Sequence, residues 1–363
     1  MKKIAAVIVV ILLFAGVLFY RTCMRASEFV ILSTNDMHAT LSNAPRLATA
    51  IKECRDTVFT IVADAGDRWT GNAYVDLAQD RLPIIRLMNS VKYDVATLGN
   101  HEFDAGQQTL ANAIAYADFK VVCANMQSKH GGFVNLAKSA RISTPEGVNV
   151  DFVGVVTSFV NGRPDGNEAS FYGLTFENPL DVAEREVKGS DGDVKVLLSH
   201  MGDDRDMELA GRCSDYDLII GGHTHRLLDT VVNGTVIGQT ERKLKYIGVT
   251  RVKMRGRNVV SVEYENIPLA QYAEDVETKQ LVEEIEGNPA LRTVVGRVAQ
   301  PLNRTGLGNL QTEIIKEATR SDIGIYHKGG IRLEGLPKGD SISTLRVRLH
   351  ASYVSATHST FLS

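Results

Sequence analysis

Five short clusters of aspartate, asparagine and histidine contain the residue types that bind metal ions in proteins. Two of them, Asp36-Met37-His38 and His223-Thr224-His225, place two donor side chains on the same side of an extended segment, because alternate residues share a face. The clusters together contain Asp36, His38, Asp67, Asn100, His101, Asp104, His200, His223 and His225. Carboxylate, imidazole and amide groups suit zinc, manganese, iron or cobalt. The set holds enough donors for two ions with one carboxylate between them.

Each cluster on its own also fits a structural role. An Asp-x-His pair is usually a surface turn, and Gly66-Asp67 alone would be interpreted as a turn. The segment Asn100-His101-Glu102 is harder to explain by packing, because three polar side chains follow closely behind a predicted strand. Five such clusters, each behind a predicted strand, indicate a metal centre.

The clusters need strands that end beside one another. Short β-rich apolar runs predict strands at residues 29–33, 58–63, 95–98, 121–124, 149–156, 194–199 and 218–220. Helical periodicity predicts helices at residues 45–54, 83–90, 107–117 and 179–187. This alternation indicates an α/β protein, in which ligands bind at the carboxyl ends of the strands. The later segments 231–238, 246–254 and 259–264 predict a β meander in a second sheet.

Composition and charge exclude several other classes of protein. The 363 residues are 44% hydrophobic, which is enough for a folded core and rules out global disorder. A formal net charge of −3 gives no indication of nucleic-acid binding. The four cysteines form no Cys-x-x-Cys pair, so a thiolate zinc site is not expected. The sequence also lacks the glycine-rich phosphate loops and the Gly-x-Ser-x-Gly elbow.

The first 26 residues have the pattern of an export signal. Two lysines precede an unbroken apolar run at residues 4–20, which is long for a signal peptide and short for a membrane helix. We expect residues 1–26 to be a signal peptide or an N-terminal membrane anchor. The body of the protein would then lie in the periplasm or at the outer face of the cytoplasmic membrane. A buried core helix is the alternative interpretation.

The motifs resemble those of the calcineurin-like metallophosphoesterases, and within them the bacterial 5′-nucleotidase, UDP-sugar hydrolase and 2′,3′-cyclic phosphodiesterase family. The matching segments are Ser33-Thr34-Asn35-Asp36-Met37-His38, Ala63-Asp64-Ala65-Gly66-Asp67, Leu98-Gly99-Asn100-His101-Glu102-Phe103-Asp104, Leu198-Ser199-His200-Met201-Gly202 and Ile220-Gly221-Gly222-His223-Thr224-His225. The resemblance spans residues 29–266. It implies an α/β fold, a four-layer αββα sandwich, in a metallophosphoesterase domain at 27–275. A linker helix at 276–295 and a partial α/β C-terminal domain at 296–363 would follow.

The resemblance also implies roles for the clustered residues. Its implied metal ligands are Asp36, His38 and His225 for one divalent ion, Asn100, His200 and His223 for the other, and Asp67 between them. A metal-bound hydroxide would attack the phosphorus atom. His101 would act at the leaving-group oxygen, either stabilising the transition state or donating a proton, and Asp104 would orient its ring. Asn100 would also contact the substrate.

Near the C-terminus, Gly306-Leu307-Gly308-Asn309-Leu310 and Lys328-Gly329-Gly330-Ile331-Arg332 resemble the opening of the family's nucleotide-recognition domain. Arg332 matches an arginine that binds substrate phosphate, a role that suits the paired donors of a guanidinium. The alternative is a solvated arginine in a glycine turn. The remaining segment is short for that domain, and aromatic residues that would hold a nucleobase have no identifiable counterpart.

The expected function is hydrolysis of a small-molecule phosphate ester, with a nucleotide as the substrate of a 5′-nucleotidase. The same site suits a 2′,3′-cyclic phosphodiesterase, a UDP-sugar hydrolase or a non-nucleotide phosphoesterase. An inactive metal-binding remnant at the cell envelope is the non-enzymatic alternative. The pairing of His101 with Asp104 argues against that alternative, because metal storage has no use for such a dyad.

Overall fold

The structure is a computed structural model that describes residues 14, 16, 25–129, 136–326, 331 and 334–343. Its strands are β1 (Ala26–Thr34), β2 (Thr60–Asp64), β3 (Val95–Ala96), β4 (Lys120–Val121), β5 (Met126–Ser128), β6 (Ser139–Ser143), β7 (Asn149–Val156), β8 (Leu174–Phe176), β9 (Val194–His200), β10 (Leu218–Ile220), β11 (Leu227–Val232), β12 (Thr235–Thr240), β13 (Tyr246–Arg255), β14 (Asn258–Pro268), β15 (Val294–Arg297), β16 (Leu302–Asn303), β17 (Gly335–Leu336) and β18 (Ser341–Ser343). Its α-helices are α1 (Ala44–Arg55), α2 (Ala73–Asp76), α3 (Leu82–Ser90), α4 (Gly106–Tyr116), α5 (Pro179–Gly189), α6 (Asp203–Arg212), α7 (Val276–Ile285), α8 (Pro289–Arg292) and α9 (Arg304–Thr319).

The first sheet has the strand order β14-β13-β1-β2-β3-β4. Strands β1 to β4 run parallel, and β13 pairs antiparallel with β1. Thr34 pairs with Asp64, and Asp64 pairs with Ala96. The carboxyl ends of β1, β2 and β3 are therefore level, so that the loops behind them leave the sheet together.

The second sheet has the strand order β11-β12-β10-β9-β7-β6. Its four central strands are parallel, and an antiparallel strand lies at each side. Val156 pairs with His200, and Leu198 pairs with Ile220. Strands β9 and β10 thus also end at one level.

Successive side chains of a strand point to opposite faces of its sheet, and each face packs in a separate hydrophobic core. In β1, Phe29 and Ile31 pack between the sheets, where they join Phe152 and Leu198 of the second sheet. The helices α1, α3 and α4 cover the outer face of the first sheet, and α5 and α6 cover that of the second. Strands buried on both faces explain the unbroken apolar runs in the sequence. The predicted four-layer αββα sandwich is confirmed.

The predicted β meander is wrong in two respects. Residues 231–238 are not one strand, because a tight turn at Asn233 and Gly234 separates β11 from β12. Both turn residues have positive φ angles, 51° and 86°, as a two-residue hairpin turn requires. The later strands β13 and β14 join the first sheet rather than the second.

Helix α7, at the position of the predicted linker, packs onto the sandwich. Val282 is buried in the core under α1, and Lys52 Nζ lies 2.5 Å from an Asp275 carboxylate oxygen. Beyond α7, the two-stranded pairs β15–β18 and β16–β17 and helix α9 share a small core. This core consists of Val298, Leu307, Ile331 and Leu336.

Two predictions fall outside the described residues. Arg332 is not described, and of residues 1–24 only positions 14 and 16 are. Within the described part of the chain, no helix combines the length and the apolar character needed to cross a membrane.

Candidate metal centre

The five polar clusters come together where the carboxyl ends of both sheets meet. Three of them follow β1, β2 and β3, and the other two end β9 or follow β10. Positive φ angles between 47° and 79° occur at Asp36, His38, Asp67, His223 and His225. Such backbone conformations are costly for residues other than glycine and are concentrated at functional sites. The chain accepts this strain at the residues expected to bind metal.

One group of donors consists of Asp36, His38 and His225. The Nε2 atoms of the two histidines are 2.9 Å apart, and Asp36 Oδ1 lies 3.3 Å from Nε2 of His225. Asp36 is fully buried, and its other oxygen accepts the backbone N–H of His223 at 2.9 Å. A buried carboxylate therefore faces two imidazoles at the distances expected of neighbouring ligands.

The tautomers of two histidines are fixed by backbone carbonyls. His38 Nδ1 lies 3.1 Å from the Thr70 carbonyl oxygen, and His200 Nδ1 lies 2.7 Å from that of Ala65. Each Nδ1 must donate its proton to that carbonyl, so Nε2 is the ring atom that faces the other donors of the site. His200 Nε2 is buried and faces the carboxylates of Asp67 and Asp36. Imidazole nitrogen atoms and carboxylates that face one another in a buried site suit a divalent cation, so the donors present fit a metal ion.

A second group of donors surrounds Asp67. Its Oδ2 lies 3.2 Å from His200 Nε2, and Asn100 Oδ1 lies 3.1 Å from His223 Nδ1. Asp36 Oδ1 is 4.0 Å from His200 Nε2, which connects this group to the first. Ligand atoms of Asp67 lie within 4.8 Å of those of both His38 and His200. Asp67 thus lies between the two groups of donors.

The charges of the site keep its carboxylates ionised. Burial would raise the pKa of Asp67, but the charges of His200 and His101 hold it well below its usual value. Burial opposes ionisation of Asp36 too, yet the hydrogen bond from His225 and the charge of His200 lower its pKa. Two buried carboxylates therefore make this edge of the sandwich attractive to cations.

The histidines divide into neutral and charged forms. Burial lowers the pKa of His38 to about 4, so its imidazole is neutral at pH 7 and can act as a ligand. Burial also lowers the pKa of His223. For His200, burial is outweighed by the charge of Asp67, and its pKa rises to about 10. An incoming cation would replace the proton of His200 between the same carboxylates.

His101 and Asp104 form a hydrogen-bonded pair beside these donors. His101 Nδ1 lies 2.7 Å from Asp104 Oδ2, and the backbone N–H of His101 donates to Asp67 Oδ1 at 2.8 Å. The rings of His101 and His38 are 5.2 Å apart at their centroids. The structure thus brings together every predicted site residue that it describes: Asp36, His38, Asp67, Asn100, His101, Asp104, His200, His223 and His225.

Glu102 supports the ligand loops, a role that the sequence analysis missed. Its buried carboxylate accepts the backbone N–H groups of Asp67, Arg68 and Gly99 at 2.8, 2.9 and 2.5 Å. These bonds tie the loop behind β2 to the loop behind β3. The available signal was a carboxylate directly after His101, and nothing in its type distinguishes a backbone contact from a ligand.

Two further carboxylates lie near the donors. Asp64 is buried against Arg68, with 3.3 Å between the charged groups, and accepts the Thr34 hydroxyl. Asp165 approaches His223 from the other side, 4.0 Å from its Nε2. Asp165 lies in the connection between β7 and β8, which carries no recognisable motif, so its position could not be predicted from the sequence.

Comparison with known proteins agrees with the fold. The sequence model of the calcineurin-like phosphoesterase family matches residues 29–227. The trifunctional nucleotide phosphoesterase YfkN of Bacillus subtilis is 29% identical over 86% of this chain and 25% of its own length. A probable 5′-nucleotidase of Treponema pallidum is 28% identical over 61% of this chain and 41% of its own. This chain spans between a quarter and a third of the first two curated relatives.

Solved structures share the architecture. A 5′-nucleotidase precursor from Thermus thermophilus superposes with a TM-score of 0.76 at 24% identity, covering 89% of this chain and 73% of that one. The matched family segment contains all nine of the clustered residues. The chain belongs to the calcineurin-like phosphoesterase family.

Proposed function

We propose that the protein is a dinuclear-metal phosphohydrolase that removes phosphate from nucleotides, as a 5′-nucleotidase does. The observation that supports it is the arrangement of two donor groups around Asp67, with the buried Nε2 of His200 between the carboxylates of Asp67 and Asp36. A protein that only bound a metal ion would need neither a second group of donors nor the hydrogen-bonded pair of His101 and Asp104. The two ions would be zinc, manganese, iron or cobalt.

The ligands follow from the two groups of donors. One ion would be held by Asp36, His38 and His225, the other by Asn100, His200 and His223, with Asp67 shared by both. When bound, divalent ions supply Lewis acidity, which makes water a nucleophile near neutral pH and neutralises charge on phosphoryl oxygens.

The protein's own side chains would then handle the leaving group. His101 is held by Asp104 through Nδ1, so its ring is oriented before substrate arrives. A proton given by this imidazole to the departing ester oxygen would prevent release of a strongly basic alkoxide. Asn100 lies in the loop directly before His101 and would contact the phosphoryl group.

A nucleotide is the proposed substrate because several relatives are named for nucleotides. These include the nucleotide phosphoesterase of Bacillus subtilis and an NAD 5′-nucleotidase of Haemophilus influenzae. Arg332 would bind substrate phosphate in this proposal. A cyclic phosphodiesterase, UDP-sugar hydrolase or non-nucleotide phosphoesterase remains the competing proposal, since aromatic residues for a nucleobase were not identified in the sequence.

A substrate panel tests this proposal. Protein lacking residues 1–26, loaded with manganese or zinc, is assayed with AMP, 2′,3′-cyclic AMP, UDP-glucose and bis-p-nitrophenyl phosphate. We expect AMP to be hydrolysed with the highest kcat/KM. Turnover of the diester without AMP would contradict a nucleotidase while leaving the phosphoesterase chemistry intact. Arg332→Gln should raise KM for AMP more than it lowers kcat, since the guanidinium would bind ground state and transition state alike.

We further propose that the protein is exported, with residues 1–26 as signal or anchor and domains at 27–275 and 296–363. The lysine pair before the apolar run supports export, and the Thermus relative is named a precursor. Cell fractionation of the full chain tests it: recovery in the cytoplasmic fraction would contradict export.

A further inference from the structure

Thr70 has a backbone conformation that is unusual for its residue type. Its φ angle is +68°, although a β-branched side chain is disfavoured in the left-handed region. The residue is buried, with 7% of its surface exposed, in the loop that follows Asp67. A strained residue at such a place needs contacts that hold it there, and these contacts indicate its use.

Thr70 contacts two parts of the centre that come from different loops. Its carbonyl oxygen lies 3.1 Å from Nδ1 of His38, the contact that fixes the ligand's tautomer. Its hydroxyl lies 2.6 Å from Asp104 Oδ2. The same carboxylate oxygen faces His101 Nδ1 at 2.7 Å. One residue thus contacts both a proposed metal ligand and the carboxylate that orients the proposed proton donor.

The direction of the hydrogen bonds is determined by Arg81. Its Nη1 lies 2.9 Å from the Thr70 hydroxyl oxygen, and a guanidinium can only donate. The hydroxyl must therefore accept from Arg81, and its single hydrogen points to Asp104. Asp104 Oδ2 receives two hydrogen bonds, one from Thr70 and one from His101. These two bonds fix the position of the carboxylate and hence the ring plane of His101.

We propose that Thr70 is a positioning residue that aligns His101 with the metal centre through Asp104. The inference rests on the proposed role of His101 as proton donor. The backbone carbonyl of Thr70 holds His38 in the tautomer that can bind metal, and the Thr70 hydroxyl fixes the position of the Asp104 carboxylate. The two halves of the residue can therefore be separated: changing the side chain alters the orientation of His101 and leaves the contact to His38 in place.

Loss of the hydroxyl should affect substrates according to their leaving groups. A basic leaving group needs a proton from a well-placed donor, whereas p-nitrophenolate departs without one. Thr70→Val keeps the shape and the carbonyl but removes the donor to Asp104. We expect kcat for unsubstituted phenyl phosphate to fall about 10- to 100-fold, and kcat for p-nitrophenyl phosphate to change less than about twofold. Metal content should stay at the wild-type level.

Three further variants make the result specific. Thr70→Ser retains a hydroxyl and should restore phenyl phosphate turnover. Thr70→Ala repeats the test without a β-branched side chain if the valine variant fails to fold. Thr235→Val is the matched control, because Thr235 is also buried and donates its hydroxyl to the Tyr216 carbonyl at 2.8 Å, away from the site. Equal losses on both aryl esters, or no rescue by serine, would overturn the proposal.

The proposal also has a readout that needs no turnover. In ¹⁵N-histidine-labelled protein, the Nδ1 proton of His101 should disappear in Asp104→Asn, shift in Thr70→Val and stay in place in Thr235→Val. An unshifted resonance in Thr70→Val would refute the alignment role. Failure of the proposed nucleotidase function would give a different result, namely that AMP is not hydrolysed. The two aryl esters and the His101 resonance would still test the role of Thr70 in that case.

Discussion

The sandwich and the segment beyond helix α7 differ in how they are held together. The sandwich has three large cores, one between its sheets and one under each helical layer. The described part of the segment, residues 294–326, 331 and 334–343, shares four buried apolar side chains. It also leaves Ile314, Ile323 and Ile325 more than half exposed. Small cores bury too little apolar surface to hold strained loops in place.

This difference explains where the chemistry lies. Strained backbone at metal-binding positions must be held by the surrounding packing, and buried carboxylates need fixed partners. The sandwich provides both, since Glu102 ties two ligand loops together and Arg68 pairs with Asp64. We infer that the sandwich provides the residues of the proposed reaction.

The largest effect is expected from Asp67→Ala. Removing the central carboxylate should empty both ion positions and lower kcat/KM by about 10³-fold or more, because loss of mere supporting contacts already costs about 10- to 100-fold. Metal content by plasma emission spectroscopy and turnover of bis-p-nitrophenyl phosphate check both effects. Asp204→Ala is the matched control, since this exposed aspartate of α6 lies outside the donor groups. Normal metal content or turnover in Asp67→Ala would contradict a shared ligand.

The position of the site could be predicted from the sequence because strand ends determine it. Strands 149–156 and 218–220 agree with β7 and β10, and the remaining predicted strands before the clusters agree to within three residues. Once parallel strands form, the residues behind them must share one edge. The roles of the individual residues stay predictions, and Arg332 lies outside the described residues.

Other features depend on three-dimensional contacts that leave no pattern. Thr70 and Glu102 act through backbone groups or through another side chain, so their types indicate nothing by themselves. Helix α6 was not predicted, because three aspartates fill its first turn. Negative side chains stabilise the N-terminus of a helix, so these aspartates favour a helix that begins at this position. The turn at Asn233-Gly234 is different, because this dipeptide is a strong hairpin signal that the sequence analysis did not use.

The same leucine-to-alanine change should lower the free energy of global unfolding more in the sandwich than in the segment beyond α7. Leu218 lies fully buried between the sheets, and Leu307 lies 2% exposed in the small core beyond α7. Leu218→Ala should lower the free energy of global unfolding by about 3 kcal/mol, as cavities in large cores do. Leu307→Ala should leave global unfolding nearly unchanged.

Hydrogen exchange distinguishes these outcomes. In Leu307→Ala, amides of α9 should exchange faster while those of β9 and β10 keep their protection, because opening there is local. Leu218→Ala should reduce protection in the strands. Equal losses of global stability in both variants would show that the two regions unfold together, and the comparison between them would fail.

The last expected effect is a pH dependence of the stability of the sandwich. Burial raises the pKa of Asp206 to about 8, against an ordinary value of 3.8. The folded state therefore binds this proton more tightly than the unfolded state, and stability falls as pH rises from about 4 to 8. Asp206→Asn resembles the neutral acid and can still accept the Ser199 hydroxyl, so it should remove this loss.

Thermal unfolding of chelator-treated protein between pH 4 and 9 tests the sign. The Tm of Asp206→Asn minus that of wild type should increase across this range, by about 2–4 °C for each 1 kcal/mol. Glu313→Gln, an exposed change on α9, should leave the profile unaltered. A difference in Tm that stays constant with pH would show that Asp206 is ionised in the folded protein. An ionised Asp206 would then depend on the positive charge of His200, which already opposes the effect of burial on the pKa of Asp206.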